Sequence, residues 1–179
     1  DAFLAEAFAQ RHGVPRWYSS AQQLIDDPAV DAVYVATPPD THMEIALKVA
    51  AAGKPCLVEK PMARNVAEAD AMLEAFRVKD VPLYVAYYRR YLPKFVEVKR
   101  LVDAGAIGEL CSVNVRLRQP RHREEQGGSG WRVSASVAGG GLFMDLAAHQ
   151  LDLLDLLSPL DISSTTGHAL RRAPPPPPV

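Results

Sequence analysis

Stretches with apolar residues every three or four positions alternate, along the first half of the chain, with short runs that are apolar almost throughout. The first pattern is that of a helix with one buried face, the second that of a strand inside a sheet. Ala2 to His12 reads as a helix closed by Gly13, a residue suited to a left-handed cap. A short strand over Arg16–Tyr18 and a helix led by Ser19 or Ser20 follow. Asp31–Ala36 is β-branched, aromatic and nearly unbroken in its apolarity, as in a parallel strand covered on both faces. From Asp40 to Ala52 the residues Met43, Ala46, Leu47 and Ala50 recur at helical spacing until Gly53. Lys54–Val58 is the next strand. Asn65 caps a helix whose buried stripe is expected to be Val66, Ala69, Leu73 and Phe76, and Val81–Ala86 is a further strand.

Strands alternating with helices of this length imply an α/β fold, because parallel neighbours need a crossover rather than a tight hairpin. After Arg90 the texture changes. A helix runs from about Pro93 to Ala104, and Gly108–Arg118 alternates polar with apolar residues, as an antiparallel strand with one wet face does. Gln119–Ala138, rich in Gly, Ser and Arg, reads as a long loop of the kind that often carries function. Gly139–Leu157 reads as a helix after its glycines and Ile162–Leu170 as a strand. Pro174–Pro178 is an extended run that no sheet interior accepts.

Composition narrows the function classes. Of 179 residues, 48% are hydrophobic and 23% charged, which excludes a disordered or fibrous chain, and the formal charge of -1 offers no basic field for nucleic acid. No run reaches the roughly 18 to 20 apolar residues that span a bilayer, so no membrane partner is expected. Cys56 and Cys111 both lie in runs read as strand, far from other metal-type ligands, which fits a reducing, cytoplasmic compartment.

Ligands of open parallel sheets bind beyond the carboxyl ends of the strands. Three features stand out. Thr37-Pro38-Pro39-Asp40-Thr41-His42 follows the first long strand and leads into a helix, either as a plain capping turn or as a receptor for a polar ligand group. Glu59-Lys60-Pro61 follows the next strand. A lysine there can exchange a proton with a substrate hydroxyl if desolvated, and because neighbours on an extended backbone point to opposite sides, a simple Glu–Lys surface pair is not the natural explanation. Gly139-Gly140-Gly141 precedes Asp145, His149 and Asp152, whose spacings of four and three share one face of an otherwise leucine-rich helix. That stripe fits a histidine base oriented by a carboxylate, a shared metal ion, or else a solvated face or a satisfied core histidine. Arg116, Arg118, Arg121, Arg123 and Arg132 crowd the adjoining strand and loop, as phosphate contacts or as a solvated surface.

Together, in this order, these segments resemble the Gfo/Idh/MocA family of nicotinamide-dependent oxidoreductases, over about Ala2 to Leu170. The resemblance rests on Val35-Ala36-Thr37-Pro38 with His42, on Gly53-Lys54-Pro55 through Glu59-Lys60-Pro61, and on Gly139-Gly140-Gly141 with Asp145, His149 and Asp152. It implies a partial Rossmann-type parallel sheet over 1–90, the dinucleotide-binding domain. Part of an α+β domain with a mainly antiparallel sheet, for substrate and oligomerisation, is implied over 91–179. The implied catalytic residues are Lys60, Asp145 and His149, with no metal. Ala36, Thr37, Pro38, His42, Glu59, Lys60, Trp131 and Arg132 are the implied cofactor contacts, and Arg90, Tyr91, Asp145 and His149 the substrate contacts. The cofactor is NAD or NADP, and the implied reaction interconverts a secondary alcohol and a ketone on a sugar, a sugar derivative or a cyclitol. The complete protein is expected to be a homo-oligomer. A non-catalytic relative that binds a sugar or partner is the alternative, and a metal-dependent isomerase or hydrolase is a third possibility.

The family's opening strand and G-x-G-x-x-G turn are not in this sequence, and Gly127-Gly128-Ser129-Gly130 lies in a later loop and does not replace them. The expectation is a chain cut at both ends, with an unpaired edge on the strand leading to Thr37 and marginal stability in isolation.

Overall fold

The computed structural model of the protein describes residues 2–118, 130–158 and 162–168. Helices α1 (Ala2–His12) and α2 (Ala21–Asp26) precede strand β1 (Val33–Val35), and helix α3 (His42–Ala51), β2 (Cys56–Val58), α4 (Val66–Lys79) and β3 (Leu83–Val85) follow. The remaining helices are α5 (Pro93–Asp103), α6 (Ala135–Ala138) and α7 (Gly141–Leu157), with 3-10 turns at Pro39–Thr41, Tyr88–Tyr91 and Trp131–Val133.

The fold is α/β. The strands pair in parallel in the order β1-β2-β3, with Val33 opposite Cys56 and Cys56 opposite Leu83. Crossovers of one hand along a sheet growing in one direction place α3 and α4 on the same face, where they pack against each other. Between them and the sheet lies the core, built from Ile25, Val33, Val35, Ala46, Val49, Ala50, Cys56, Val58, Ala63, Met72 and Phe76. Each of the larger of these side chains contributes about 1.5–3 kcal/mol by leaving water. Local signals set the ends of the elements. The Asn65 side chain accepts from the Glu68 N–H at 3.0 Å to open α4, and Ser20 does the same for Gln23 at 3.3 Å to open α2.

The structure departs from the sequence-based expectations in several places. The β1 strand is covered on one face only: Val33 and Val35 are buried while Tyr34, and with it Leu57 and Tyr84 across the sheet, is exposed. The buried side of α4 carries Glu68, Met72 and Phe76, whereas Val66 and Leu73 face outward. Arg16–Tyr18 forms no strand. Segment 108–118 is exposed and takes no strand assignment, nor do 162–168, because a strand forms only by pairing with another and neither segment pairs with a strand among the described residues. Within the expected loop, 130–138 holds the Trp131–Val133 turn and α6. Residues 119–129, Arg121 and Arg123 among them, and the proline run at 174–178 lie outside the described residues. No described helix is long and apolar enough to cross a membrane.

Candidate active site

The chain leaves all three strands at the same end of the sheet, and the polar residues just beyond them build the site. After β1, Ala36, Thr37 and Pro38 are exposed, and the Thr41 hydroxyl lies 2.7 Å from that of Thr37 and 3.0 Å from the Pro38 carbonyl. After β2, adjacent side chains part. Glu59 turns toward the open face of the sheet, where it accepts from the Tyr34 hydroxyl at 2.5 Å, and it also takes the Lys60 N–H at 3.1 Å. The Lys60 side chain goes the other way. Its Nζ donates to the Asp145 carboxylate and, at 3.0 Å, to the Asp145 carbonyl, with both side chains about one-fifth exposed. The Lys60–Pro61 peptide bond is cis.

Eighty-five positions separate Lys60 from Asp145, so something must bring α7 to the β2 exit. Arg64 does this. It grips Glu68 through Nε at 3.0 Å and Nη2 at 2.6 Å, and its Nη1 donates to the Ser136 carbonyl at 2.7 Å, at the start of α6. Next to it the backbone of Gly139 packs directly on that of Arg64. A side-chain carbon on Gly139 would stand 2.9 Å from the Arg64 carbonyl oxygen, and its φ of +77 also favours glycine. The first glycine of the triplet is therefore the contact that seats the helix carrying Asp145 and His149.

His149, one turn further along α7, is 2% exposed and its Nδ1 has no hydrogen-bond partner. The rings of Tyr87 and Tyr88 meet it edge-on, with centroids 6.3 Å and 5.1 Å away. Desolvation, and after it the positive charges of Arg89 and Lys60, hold its proton affinity below the ordinary histidine value, while Asp152 and Asp145 pull the other way. Asp152 is itself occupied: its side chain is 3% exposed and takes Arg90 in a forked pair, with Nε 3.0 Å and 3.2 Å from the two carboxylate oxygens. The arrangement thus holds an ammonium fixed by a carboxylate and, one helical turn further on, a buried imidazole held neutral and within reach of their charges. Such a set polarises an oxygen and accepts its proton.

The structure brings Lys60, Asp145 and His149 together. Ala36, Thr37, Pro38 and Glu59 stand at the strand exits beside them. His42 is wholly buried beneath those loops, with both ring nitrogens on backbone carbonyls, so it presents no atom outward. Trp131 and Arg132 are exposed and stacked on each other, with the guanidinium 4.3 Å from the indole centre. Arg90 is held by Asp152, and Tyr91 points into solvent. Tyr87 and Tyr88, whose rings meet the imidazole, and Arg89, whose charge acts on it, carry no sequence motif, although they lie in the loop after β3 and so obey the same strand-exit rule. An open, mainly apolar cavity of about 810 Å³ lies on a neighbouring side of α7, lined by Met62, Val85, Tyr87, Arg90, Phe143 and Leu151. Lys60, Asp145 and His149 do not line it. No three His, Cys, Asp or Glu side chains among the described residues form a metal-binding group.

Residues 3–87 match the oxidoreductase family with an NAD-binding Rossmann fold, and residues 95–179 match the GFO/IDH/MocA C-terminal domain. Over 149 residues the chain is 40% identical to Oxidoreductase P35 of Formosa agariphila, a match covering 82% of this chain and 46% of that protein. It is 31% identical over 164 residues to scyllo-inositol 2-dehydrogenase (NAD(+)) of Bacillus subtilis, covering 92% of this chain and 46% of the other. Among solved structures, levoglucosan dehydrogenase in complex with NADH and levoglucosan superposes with a TM-score of 0.74 at 32% identity, covering 88% of this chain and 42% of that one. The chain spans less than half the length of these relatives.

Proposed function

The chain belongs to the Gfo/Idh/MocA family of oxidoreductases, and from that premise we propose that it carries the catalytic centre of an NAD-dependent dehydrogenase acting on a secondary alcohol of a sugar or cyclitol. The observation that carries the reading is the convergence of Lys60, paired to Asp145, with a buried His149 whose Nδ1 is unpartnered. The relatives' printed substrates, levoglucosan and scyllo-inositol, are both polyhydroxy rings.

The residues present fit a nicotinamide dinucleotide on the chemistry of the site: exposed chain at Ala36–Pro38 and the Glu59–Lys60 turn would hold it across the carboxyl ends of the parallel strands. When bound, that group supplies the acceptor or donor of the hydride. His149 takes the proton from the substrate hydroxyl as the C–H electron pair leaves the same carbon, which turns the alcohol into a ketone. The ring can do so because burial and the nearby positive charges hold it neutral, the form that accepts a proton. Lys60, placed by Asp145, sets its ammonium against the substrate oxygen and stabilises the charge that develops there. In the reverse direction the same groups return the proton.

On this reading residues 1–90 belong to the cofactor side and 91–179 to the substrate side of a cytoplasmic homo-oligomer. Cys56 and Cys111, both free, accord with a reducing compartment. The test uses the full-length gene product that contains this chain. NAD-dependent absorbance of the reduced nicotinamide is followed with levoglucosan, inositols and aldoses. Turnover on at least one polyhydroxy ring is expected, and no reduction of NAD or NADP with any of them would overturn the reading.

A further inference from the structure

His42, the first residue of α3, is a polar ring at 0% exposure. Buried polar atoms are mostly hydrogen-bonded, and both ring nitrogens of His42 have a partner. Both partners are main-chain carbonyls of separate loops: Nδ1 lies 3.0 Å from Pro61 and Nε2 lies 2.8 Å from Thr37. Thr37 stands at the exit of β1 and Pro61 directly after Lys60 at the exit of β2, the two loops that border the site.

We infer that His42 is a positioning residue that ties the β1 exit to the β2 exit and so sets where Lys60 stands against Asp145. Lys60 is bracketed: Glu59 receives its N–H on one side, and His42 holds the Pro61 carbonyl on the other. With its main chain held at both ends, the lysine side chain reaches Asp145 from a fixed base. Carbonyl oxygens only accept, so each tie needs an N–H. A neutral ring makes one tie at a time, by either tautomer, and an imidazolium makes both. The tie is a feature of the loops alone, whereas its consequence for turnover rests on the oxidoreductase reading.

Two substitutions separate the ties, because the amide nitrogen of asparagine reaches the place of Nδ1 and that of glutamine the place of Nε2. In the full-length protein, H42N is expected to keep the Pro61 tie. Its kcat stays near wild type, KM for the dinucleotide rises about tenfold, and amide hydrogen exchange quickens in residues 37–41. H42Q is expected to keep the Thr37 tie, to quicken exchange in residues 59–63, and to lower kcat about ten- to a hundredfold with KM for the dinucleotide little changed. In a K60M background H42Q should lower kcat no further, since it acts through that lysine. Equal exchange changes in both segments for both variants, no change in either, or full multiplication of the H42Q and K60M losses would overturn the inference. A wild type without dehydrogenase turnover sinks the oxidoreductase reading instead, and the exchange pattern still decides the tie.

Discussion

Replacing Gly139 by alanine tests how α7 is seated. Two costs act together there. A non-glycine residue in the left-handed region loses about 1–2 kcal/mol. The added carbon would also stand 2.9 Å from the Arg64 carbonyl oxygen, closer than real side chains approach, and its neighbour is main chain that cannot swing aside. Forcing atoms into such a contact costs typically about 1–3 kcal/mol, so G139A should lose about 2–5 kcal/mol in all. Gly53 supplies an internal control. Its φ of +69 is nearly the same as the +77 of Gly139, but nothing lies within 4 Å of where its carbon would go. G53A should therefore lose only the conformational part, about 1–2 kcal/mol. Urea unfolding of both variants in the full-length protein, followed by far-ultraviolet circular dichroism, measures the difference. Turnover should separate them too, since moving the Arg64–Gly139 contact displaces Asp145 from Lys60 while Gly53 closes a distant helix end. Equal losses of stability and equal turnover in the two variants would refute the argument that backbone contact, rather than glycine's dihedral freedom, is what the triplet supplies.

Other expected outcomes follow from the same geometry. Removing one partner of the pair between Arg90 and the buried Asp152, as in R90Q or D152N, should cost about 2 kcal/mol or more in a denaturant titration, and replacing both with leucine should recover much of it. The acid limb of kcat/KM against pH should fall below the ordinary histidine value of about 6.5, because burial and the charges of Arg89 and Lys60 keep His149 neutral. For stability the sign is the same: the unfolded ring binds its proton more readily, so the contribution is full above about pH 6.5 and is lost as pH falls through the folded value. A urea midpoint that rises on acidification through that window would contradict this. The Cys56 thiol, pushed up to about 11 by burial, should resist a maleimide at neutral pH that labels the exposed Cys111, as intact-mass spectrometry would show by a single adduct.

What was legible in the sequence was what is encoded locally. The cap at Asn65, the stop at Gly53 and the alternation of strand and helix between Asp31 and Ala86 depend on neighbours a few residues away, and each stands where the pattern put it. The strand-exit rule led to Lys60, and the four-residue spacing put Asp145 and His149 on one helix face. Helix faces were less legible, because which side of an element is buried depends on what packs there. Val66 and Leu73 have the hydropathy of core residues, but α4 meets α3 and the sheet with Met72 in their place, beside the expected Phe76 and Ala69. Segment 108–118 has the alternation of a strand, but alternation without a partner strand does not make one. The contact between Arg64 and Gly139, and the burial of His42 between two carbonyls, join residues from separate loops and leave no periodic trace.

On the proposed mechanism an ammonium at Lys60 and a neutral imidazole at His149 act on the same substrate oxygen. Steady-state turnover of K60M and H149A in the full-length protein, with native circular dichroism as the control for folding, tests it most directly. Each variant is expected to stay folded and to lose about two to four orders of magnitude in turnover. Folded variants that keep wild-type turnover would contradict it.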